Sequence, residues 1–480
     1  MNYKLLVLII YCIILLFVCL RILYETQSST KTISYLFLCI FFPVFGILFY
    51  LAFGINYWKE KRYSKKMNEN NKMLDDLKKK VPGYNNCIVN PKDISDDNAE
   101  LVSMLLKDLR SPLTRNNKVK LLLNGEEKFP ELIKCLQSAK HHIHIEYYIF
   151  EQDETGTAII ELLIQKAKEG VQVKFIYDDF GSPSIKKKIE RRMKDAGVEV
   201  YPFSKVHFYL LANRINYRNH RKIVIVDGHT GFVGGINVSD KYVNNGKQKL
   251  YWRDTHLRID GPGVYYLQYI FMTDWNFCCS KKLEPEDILF ANCDDIKEDT
   301  LVQIAGSGPD SAEPSIMFSI IEAISLAKEE ILITTPYFIP GDSVLNALRI
   351  AALGGVKVKL LVPGKCDSRV VNAASKANYN PLLQAGVEIY LYNKGFVHAK
   401  TLVTDSKLSI IGTANMDHRS FELNFEVNAI IYDEAFSKKM RKVFAEDLKY
   451  ATKLDAKRWY ERSLLTQFPE KLARLLSPTL

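Results

Sequence analysis

The chain has 480 residues, with 65 lysines and arginines against 55 aspartates and glutamates, a net charge of +10. This length allows a membrane anchor and about two ordinary domains, and the modest basic excess fits a solvated face or an anionic partner, either lipid or nucleic acid. None of the nine cysteines forms a CxxC pair, which indicates reduced packing residues rather than a zinc site or a disulfide framework.

Two apolar runs open the chain, at about residues 4–24 and 33–55. Each is long enough to span a bilayer, and the second contains Pro43 and Gly46, which membrane helices tolerate. No small-x-small cleavage site follows the first run, which favours an uncleaved anchor over a signal peptide. We therefore predict a transmembrane hairpin over residues 1–58. Lysines and arginines gather after the second run, so both termini and the rest of the chain are expected on the cytoplasmic side.

Residues 59–116 are rich in lysine, asparagine and aspartate, and we predict a linker that spaces the remaining chain from the bilayer. Short helices are expected at Leu74–Leu77 and Leu101–Leu109. A folded partner site in this region stays an alternative.

The remaining chain is an internal duplication. Helical stretches alternate with matching strand-like stretches in the same order, which predicts an α/β fold with mostly parallel strands. We expect two similar domains, 117–293 and 294–480, related by a pseudo-twofold axis. The matched stretches are 139–150 with 327–338, 170–177 with 355–362, and 196–201 with 385–390.

Each half ends in the same polar pattern. His220, Lys222 and Asp227 precede Asn237 with the spacing by which His398, Lys400 and Asp405 precede Asn415. A single copy could be a strand with a polar start, but two copies with one spacing argue against chance. Strand alternation places the histidine and lysine of each copy on one face, where an imidazole and an ammonium suit a phosphate. The pseudo-twofold axis could bring both histidines into one cleft.

These paired HxKxxxxD segments resemble the phospholipase D superfamily, which implies two similar α/β domains, each with a mixed sheet flanked by helices. The resemblance to its bacterial cardiolipin synthase branch is closer and covers nearly the whole chain. It includes the N-terminal hairpin and the stretches 116–129, 142–150, 252–262, 412–420 and 473–480. One departure is Gly235, where many superfamily members carry serine.

The resemblance implies phosphoryl transfer through a phosphohistidine, with candidate catalytic residues His220, Lys222, Asp227, His398, Lys400 and Asp405. We assign His220 as nucleophile and His398 as general acid and base, with the reverse assignment open. The lysines would hold the non-bridging phosphate oxygens together with Asn237 and Asn415. The two aspartates close strands and are expected to be structural rather than chemical. No metal or other cofactor is implied.

Each histidine needs a partner that fixes its tautomer, and the candidates are Asp254 and Glu426. Each acid lies about thirty residues beyond the histidine of its own motif (254 − 220 = 34; 426 − 398 = 28). A salt bridge in the core is the alternative for both. His142, His144 and His256 are expected to be packing or hydrogen-bonding residues.

The implied substrates are two phosphatidylglycerol molecules, which would give cardiolipin and glycerol at the bacterial cell membrane. Two stretches could dock on the bilayer: Val206–Arg218, and the terminal residues 464–480 with Leu465, Phe468, Leu472, Leu475 and Leu476 near helical spacing. Core packing is the alternative for both stretches and the favoured one for the terminal helix. Other anionic phospholipids are possible partners, and the oligomeric state is open.

Two rival functions use the same residues. A phosphodiesterase could hydrolyse phospholipid or nucleic acid, although two membrane spans and the lack of a dense basic, aromatic stripe argue against nucleic acid. A non-catalytic scaffold could bind anionic lipid, but both motifs are complete.

Overall fold

The computed structural model describes residues 3–26, 29–53, 57–81, 88–90, 96–185, 187–203, 217–246, 250–291, 296–475 and 477. The chain forms two compact units. One comprises residues 1–68 and 206–217, and the other comprises residues 69–205 and 218–480. Most of the predicted docking stretch Val206–Arg218 lies outside the described residues.

The N-terminal unit contains α1 (Tyr3–Glu25), α2 (Ser29–Phe41), α3 (Pro43–Phe53) and the start of α4 (Tyr57–Lys80). The second apolar run is therefore two helices of 13 and 11 residues rather than one. Pro43 explains the break, because proline lacks an N–H and fits the first position of a new helix. Within the described part of the chain, no helix combines the length and apolar character needed to cross a membrane.

Helix α3 folds back along α2. A Cβ added to Gly46 would lie 2.4 Å from the Leu38 carbonyl oxygen, so only glycine allows this approach. The rings of Tyr35 and Tyr50 stack edge to face at 5.4 Å. The Tyr50 hydroxyl, 3.2 Å from Glu25 Oε2, also joins α3 to the end of α1.

The second unit contains the duplicated halves. In both, apolar strands alternate with amphipathic helices, as the sequence pattern predicts. The first half follows α5 (Ala99–Asp108) and comprises β1 (Thr114–Leu123), α6 (Asn124–Ser138), β2 (His142–Tyr147), α7 (Glu154–Lys168), β3 (Gln172–Asp178), α8 (Lys187–Asp195), β4 (Glu199–Phe203), β5 (Ile223–Val226), β6 (Thr230–Gly234), β7 (Tyr251–Arg253), β8 (Thr255–Asp260) and α9 (Gly263–Cys278).

The second half repeats this order with short additional elements inside the repeat and three more at its end. It comprises β9 (Thr300–Ser307), α10 (Ser315–Leu326), β10 (Glu330–Thr334), β11 (Phe338–Ile339), α11 (Gly341–Leu353), β12 (Lys357–Pro363), α12 (Arg369–Ala377), α13 (Tyr379–Gln384), β13 (Glu388–Tyr392), β14 (Gly395–Val397), β15 (Thr401–Thr404), β16 (Leu408–Gly412), β17 (Met416–Asp417), β18 (Glu426–Tyr432), α14 (Glu434–Leu448), β19 (Ala451–Lys453), α15 (Ala456–Tyr460) and α16 (Leu464–Arg474).

Both halves contribute to one 15-stranded sheet, and the antiparallel pair β1·β9 forms the seam between them. Outward from the seam, the first half runs β1-β8-β6-β5-β2-β3-β4, and the second runs β9-β18-β16-β15-β10-β12-β13, with β19 at its edge. Corresponding strands occupy corresponding positions, so the predicted pseudo-twofold relation is present in the sheet.

The sheet is mixed, as the family resemblance implies, so the mostly parallel arrangement expected from helix–strand alternation alone is wrong. Parallel pairing is confined to β2·β3·β4 and β10·β12·β13 among the described strands of this sheet. Strands β5 and β6 join through the tight turn at Asp227–His229, and β15 and β16 through Asp405–Lys407. Such short turns can join only antiparallel strands.

Each half has its own hydrophobic core on the sheet. Leu101 and Leu105 of α5 are buried in the core of the second half. Ser111 donates a hydrogen bond to the carbonyl of Ile304 at 2.6 Å. This part of the predicted linker is therefore integrated into the folded body.

Candidate active site

The two motif histidines lie where the halves meet. The backbone N–H of His220 donates to the carbonyl of Phe425 at 2.9 Å, and that of His398 donates to the carbonyl of Arg253 at 2.7 Å. Strand β14, just before His398, runs parallel to β7, just before Asp254. Each histidine is thereby held beside the segment that carries the acid of the opposite half.

The side chains complete these crossed pairs. His220 Nδ1 lies 2.9 Å from Glu426 Oε2, and His398 Nδ1 lies 2.7 Å from Asp254 Oδ2. Both acids are fully buried. The sequence spacing associates each acid with the histidine of its own half, but the fold pairs it with the other one. A carboxylate on Nδ1 leaves Nε2 of each ring as the nitrogen available to a reactant.

The two acids are supported differently. Glu426 accepts hydrogen bonds from Thr413 Oγ1 at 2.5 Å and Asn424 Nδ2 at 3.2 Å. Asp254 accepts from the backbone N–H of Thr255 at 2.7 Å. Gly235 occupies the position that corresponds to Thr413, and a Cβ there would lie 2.2 Å from Asp254 Oδ1. The shorter acid thus occupies the space of the missing side chain, which explains the departure at Gly235.

Lys222 and Lys400 are buried beside the histidines. Each ammonium donates a hydrogen bond to the backbone carbonyl of the histidine two residues earlier. Burial lowers the pKa of Lys222 to about 7 and that of Lys400 to about 8. Unpaired ammonium groups in such a place favour an incoming anion, which would restore their positive charge.

The histidines are neutral near pH 7. Burial lowers the pKa of His220 to about 4 and that of His398 to about 4, although the carboxylate opposite each ring acts in the other direction. Lys400 also lowers the pKa of His220, and Lys222 that of His398, so the two motifs share one electrostatic site. Burial alone would raise the pKa of both acids, but the histidines and lysines hold it below the usual range.

The two motif asparagines are engaged with protein groups. Asn237 accepts from the Ile149 N–H at 3.1 Å and donates to the Tyr242 hydroxyl at 3.3 Å. The Asn415 amide hydrogen-bonds to Asp417, and its buried Oδ1 has no hydrogen-bond partner. A direct role on phosphate oxygens would require either amide to exchange these partners.

Asp227 and Asp405 lie at the far ends of β5 and β15 from the histidines. Asp227 accepts hydrogen bonds from the backbone N–H groups of residues 140, 141 and 142, and Asp405 from those of residues 328, 329 and 330. Both have positive φ, 52° and 51°. They cap the entry to β2 and β10, at the opposite strand ends from His220 and His398.

Aromatic rings surround the histidines. The Tyr148 ring lies 4.9 Å from that of His220, and the Trp252 ring lies 5.1 Å from that of His398. Phe396 lies 5.9 Å from His398 and 6.4 Å from Tyr337. We did not single out these rings from the sequence, although Tyr148 and Trp252 fall inside the stretches that carry the family resemblance.

The other histidines predicted to be packing residues lie outside the two crossed pairs. No group of three or more histidine, cysteine or acidic side chains within the described ranges could hold a metal ion. His142, His144 and His256 are buried in the first half, and His144 stacks on Phe271 at 4.5 Å.

Comparisons with known proteins agree with this geometry. The family described as "Cardiolipin synthase, PLD-like domain" matches residues 132–256 and 320–448. The chain belongs to the cardiolipin synthase family. The family described as "Phospholipase_D-nuclease N-terminal" matches residues 7–54.

Two relatives cover almost the whole chain. The cardiolipin synthase of Alkalihalophilus pseudofirmus is 39% identical over 98% of this chain and 93% of its own. Cardiolipin synthase 2 of Bacillus anthracis is 41% identical over 95% of this chain and 88% of its own. The crystal structure of phosphatidylserine synthase from Haemophilus influenzae Rd KW20 matches with a TM-score of 0.60 at 14% identity, covering 79% of this chain and all of that one. That likeness shows a shared fold.

Proposed function

We propose that this enzyme condenses two phosphatidylglycerol molecules into cardiolipin and glycerol through a phosphatidyl-histidine. The observation that carries the proposal is the pair of crossed histidine–carboxylate contacts beside two buried lysines. The site offers two imidazoles, each with one nitrogen held by an acid and one nitrogen free. That is the set that a two-step exchange at phosphorus requires.

In the first step, Nε2 of His220 attacks the phosphorus of one phosphatidylglycerol. The bond between phosphorus and the glycerol headgroup oxygen breaks, and His398 gives its Nε2 proton to that oxygen, so glycerol leaves. Because His398 is neutral in the empty site, the bound phosphodiester anion must first raise its pKa. Lys222 and Lys400 neutralise the charge that develops on the phosphate oxygens.

In the second step, a hydroxyl of the other phosphatidylglycerol is the acceptor of the phosphatidyl group. His398, now neutral, takes the hydroxyl proton while the oxygen attacks phosphorus and the bond to His220 breaks. One phosphodiester bond is exchanged for another, so no nucleotide is consumed. The aromatic rings around His220 and His398 favour a lipid acceptor, because they exclude water from the intermediate.

We further propose that the N-terminal unit attaches the enzyme to the bacterial cell membrane as a multi-pass anchor, with both termini and the catalytic body in the cytoplasm. Large apolar side chains, among them Phe17, Phe41 and Val44, are exposed on its helices. The lysines and arginines that follow the second apolar run support the orientation. Modification of cysteines placed at residues 27 and 479, in intact cells and in lysed cells, tests it. Labelling of residue 479 in intact cells would contradict a cytoplasmic C-terminus.

The reaction is tested with the full chain in phosphatidylglycerol vesicles, without nucleotide or added metal. Cardiolipin and glycerol should appear in equal amounts. Phosphatidic acid without cardiolipin would identify a hydrolase instead, and lipid binding without turnover a scaffold. His229→Gln is the matched control, since this half-buried histidine lies in the turn beyond β5, away from the site; its turnover should be unchanged.

A further inference from the structure

The C-terminal helix α16 presents a row of apolar side chains to solvent. Leu464, Leu465, Phe468, Leu472 and Leu475 are between 56% and 86% exposed. Their spacing of 1, 4, 8 and 11 residues from Leu464 places them on one side of the helix. The favoured expectation that this helix packs into the core is therefore wrong for the four described residues that carried it, and Leu476 lies outside the described ranges.

The opposite side of α16 holds the helix firmly on the body. Arg462 forms a two-bond salt bridge with the buried Glu470, at 2.7 and 3.0 Å. Ala473 packs against Ile339 and Ala374. Ser463 caps the first turn by accepting a hydrogen bond from the Thr466 N–H. The outward direction of the apolar row is thus set by specific contacts and is not the result of a frayed end.

Two chains of contacts connect this helix to the candidate active site. Ile339, which contacts Ala473, belongs to β11, and β11 pairs with β17, the strand that directly follows Asn415. Helix α12, which packs on α16, begins just after Asp367, and Asp367 accepts a hydrogen bond from Tyr337 at 2.7 Å. Tyr337 is one of the rings around His398.

The charges beside the row identify the partner. Lys471 and Arg474 are exposed and flank the apolar side of the helix, whereas residues 455–461 before it carry exposed charges of both signs. The only acidic residue within α16 is Glu470, which is neutralised by Arg462. An amphipathic helix with basic flanks binds the surface of an anionic bilayer through apolar insertion and attraction to the headgroups.

We propose that the apolar row of α16 inserts into the interfacial layer of an anionic phospholipid bilayer. This contact is separate from the N-terminal anchor and would hold the mouth of the site against the lipid surface. The contact itself does not depend on the reaction. Its purpose, delivery of lipid to His220 and His398, rests on the proposed function.

Fluorescence quenching tests the contact without turnover. The full chain carrying Phe468→Trp is reconstituted in vesicles of phosphatidylglycerol and phosphatidylcholine with brominated acyl chains, which quench tryptophan only inside the bilayer. The matched control is Leu353→Trp, because Leu353 is 69% exposed on α11 of the same unit. We expect the added emission of Phe468→Trp to fall by at least half and that of the control to stay unchanged.

Two outcomes would overturn the proposal. One is added emission from Phe468→Trp that brominated lipid does not quench. The other is unquenched emission that shifts to the blue as protein concentration rises, with a larger assembly in sedimentation, which would assign the row to a second copy of the chain.

A second variant connects the contact to catalysis. Leu465→Ser combined with Phe468→Ser should lower turnover on vesicles at least tenfold and leave turnover of short-chain, monomeric phosphatidylglycerol unchanged. Equal loss on both substrates would contradict the docking role. Absence of turnover in the unaltered chain would instead reject the proposed function, and the quenching result would still stand.

Discussion

The two half-sites are alike where they meet the reactant and different behind it. Both present a histidine on a buried acid and a lysine bonded to the histidine carbonyl. Behind His220, however, Arg221 pairs with Asp274 and donates to the carbonyl of Glu426 at 3.2 Å. The residue corresponding to Arg221 in the second half is Ala399.

This difference extends to the neighbouring strand. Glu146 is buried and accepts a hydrogen bond from Asn219, and burial raises its pKa well above the usual value. Its counterpart in the second half is Thr334. The comparison teaches that the two motifs follow the duplication, while the buried ion pairs behind them differ in position: Arg221–Asp274 lies behind His220 and Arg253–Asp447 behind His398.

The largest expected loss of turnover follows from replacing either motif histidine, and the same two variants distinguish the roles of the histidines. His220→Ala and His398→Ala should each lower turnover by about 10⁴-fold or more, because neither half supplies both functions. With radiolabelled phosphatidylglycerol, His398→Ala should retain label on the protein if His220 is the nucleophile, and His220→Ala should retain none. The opposite pattern would reverse the assignment. Turnover by either variant near that of the unaltered chain would reject the two-histidine mechanism.

Breaking the Arg221–Asp274 pair should mainly affect stability. Arg221→Ala leaves Asp274 buried without its guanidinium partner, and we expect a loss of about 3–5 kcal/mol in the free energy of unfolding. Chemical denaturation of the detergent-solubilised protein measures it. Arg221→Met with Asp274→Leu removes both charges and should recover most of the loss. A double variant as unstable as Arg221→Ala would show that the charge pair is not the cause.

The crossed acids should matter about equally. Asp254→Asn and Glu426→Gln keep the shape of each side chain but lose the charge that orients the opposite histidine, so turnover should fall about 10²-fold in each. In the double variants, Asp254→Asn should add little to His398→Ala but should add its full effect to His220→Ala if the latter retains measurable turnover. If each acid instead paired with the histidine of its own half, Asp254→Asn would add little to His220→Ala and its full effect to His398→Ala.

The corresponding positions Gly235 and Thr413 should differ in how well they tolerate serine. Gly235→Ser places a Cβ against Asp254 and should lower turnover about tenfold through displacement of His398, an effect of the size of one lost hydrogen bond. Thr413→Ser keeps the hydroxyl on Glu426 and should change turnover little. Equal effects would mean that the space at Gly235 is not occupied as the structure indicates.

The smallest effect concerns pH. Because both lysine pKa values lie below the usual range, kcat/KM should fall as pH rises through about 7 to 8, where Lys222 and then Lys400 lose their protons. On the acid side it should fall near pH 4, where His220 gains a proton and loses its nucleophilicity. Lys222→Arg, which stays charged, should move the alkaline midpoint upward, towards that of Lys400. An unmoved midpoint would assign this limb to another group.

Local pattern was sufficient for the repeat, the α/β class and the two motifs, because these depend on periodicity and short spacing. Local pattern could not predict that each acid pairs with the histidine of the opposite half. Asp254 and His398 are 144 residues apart, and their contact depends on the strand pairing β7·β14 across the halves. The burial of Arg221 against Asp274 is likewise a consequence of tertiary packing.

Apolar spacing also gave a wrong prediction where it could not indicate which surface a helix contacts. A row such as Leu465, Phe468 and Leu472 has the same period whether it faces a core or an external surface. In α2 and α3, overall hydrophobicity suggested one long helix, but the local effect of Pro43 is stronger. Spacing predicts that a helix has a face, and only the fold determines what that face meets.

The crossed histidine–carboxylate contacts have a consequence for ancestry. A single half could obtain a carboxylate partner for its histidine only by pairing with an identical copy. The two acids would then have to be the same residue, and so would the residues at the positions of Gly235 and Thr413. Joining two halves in one polypeptide removes that constraint. Aspartate could then be accompanied by glycine in one half-site and glutamate by threonine in the other. Fusion of the two halves would in this way allow two equivalent imidazoles to take on separate tasks.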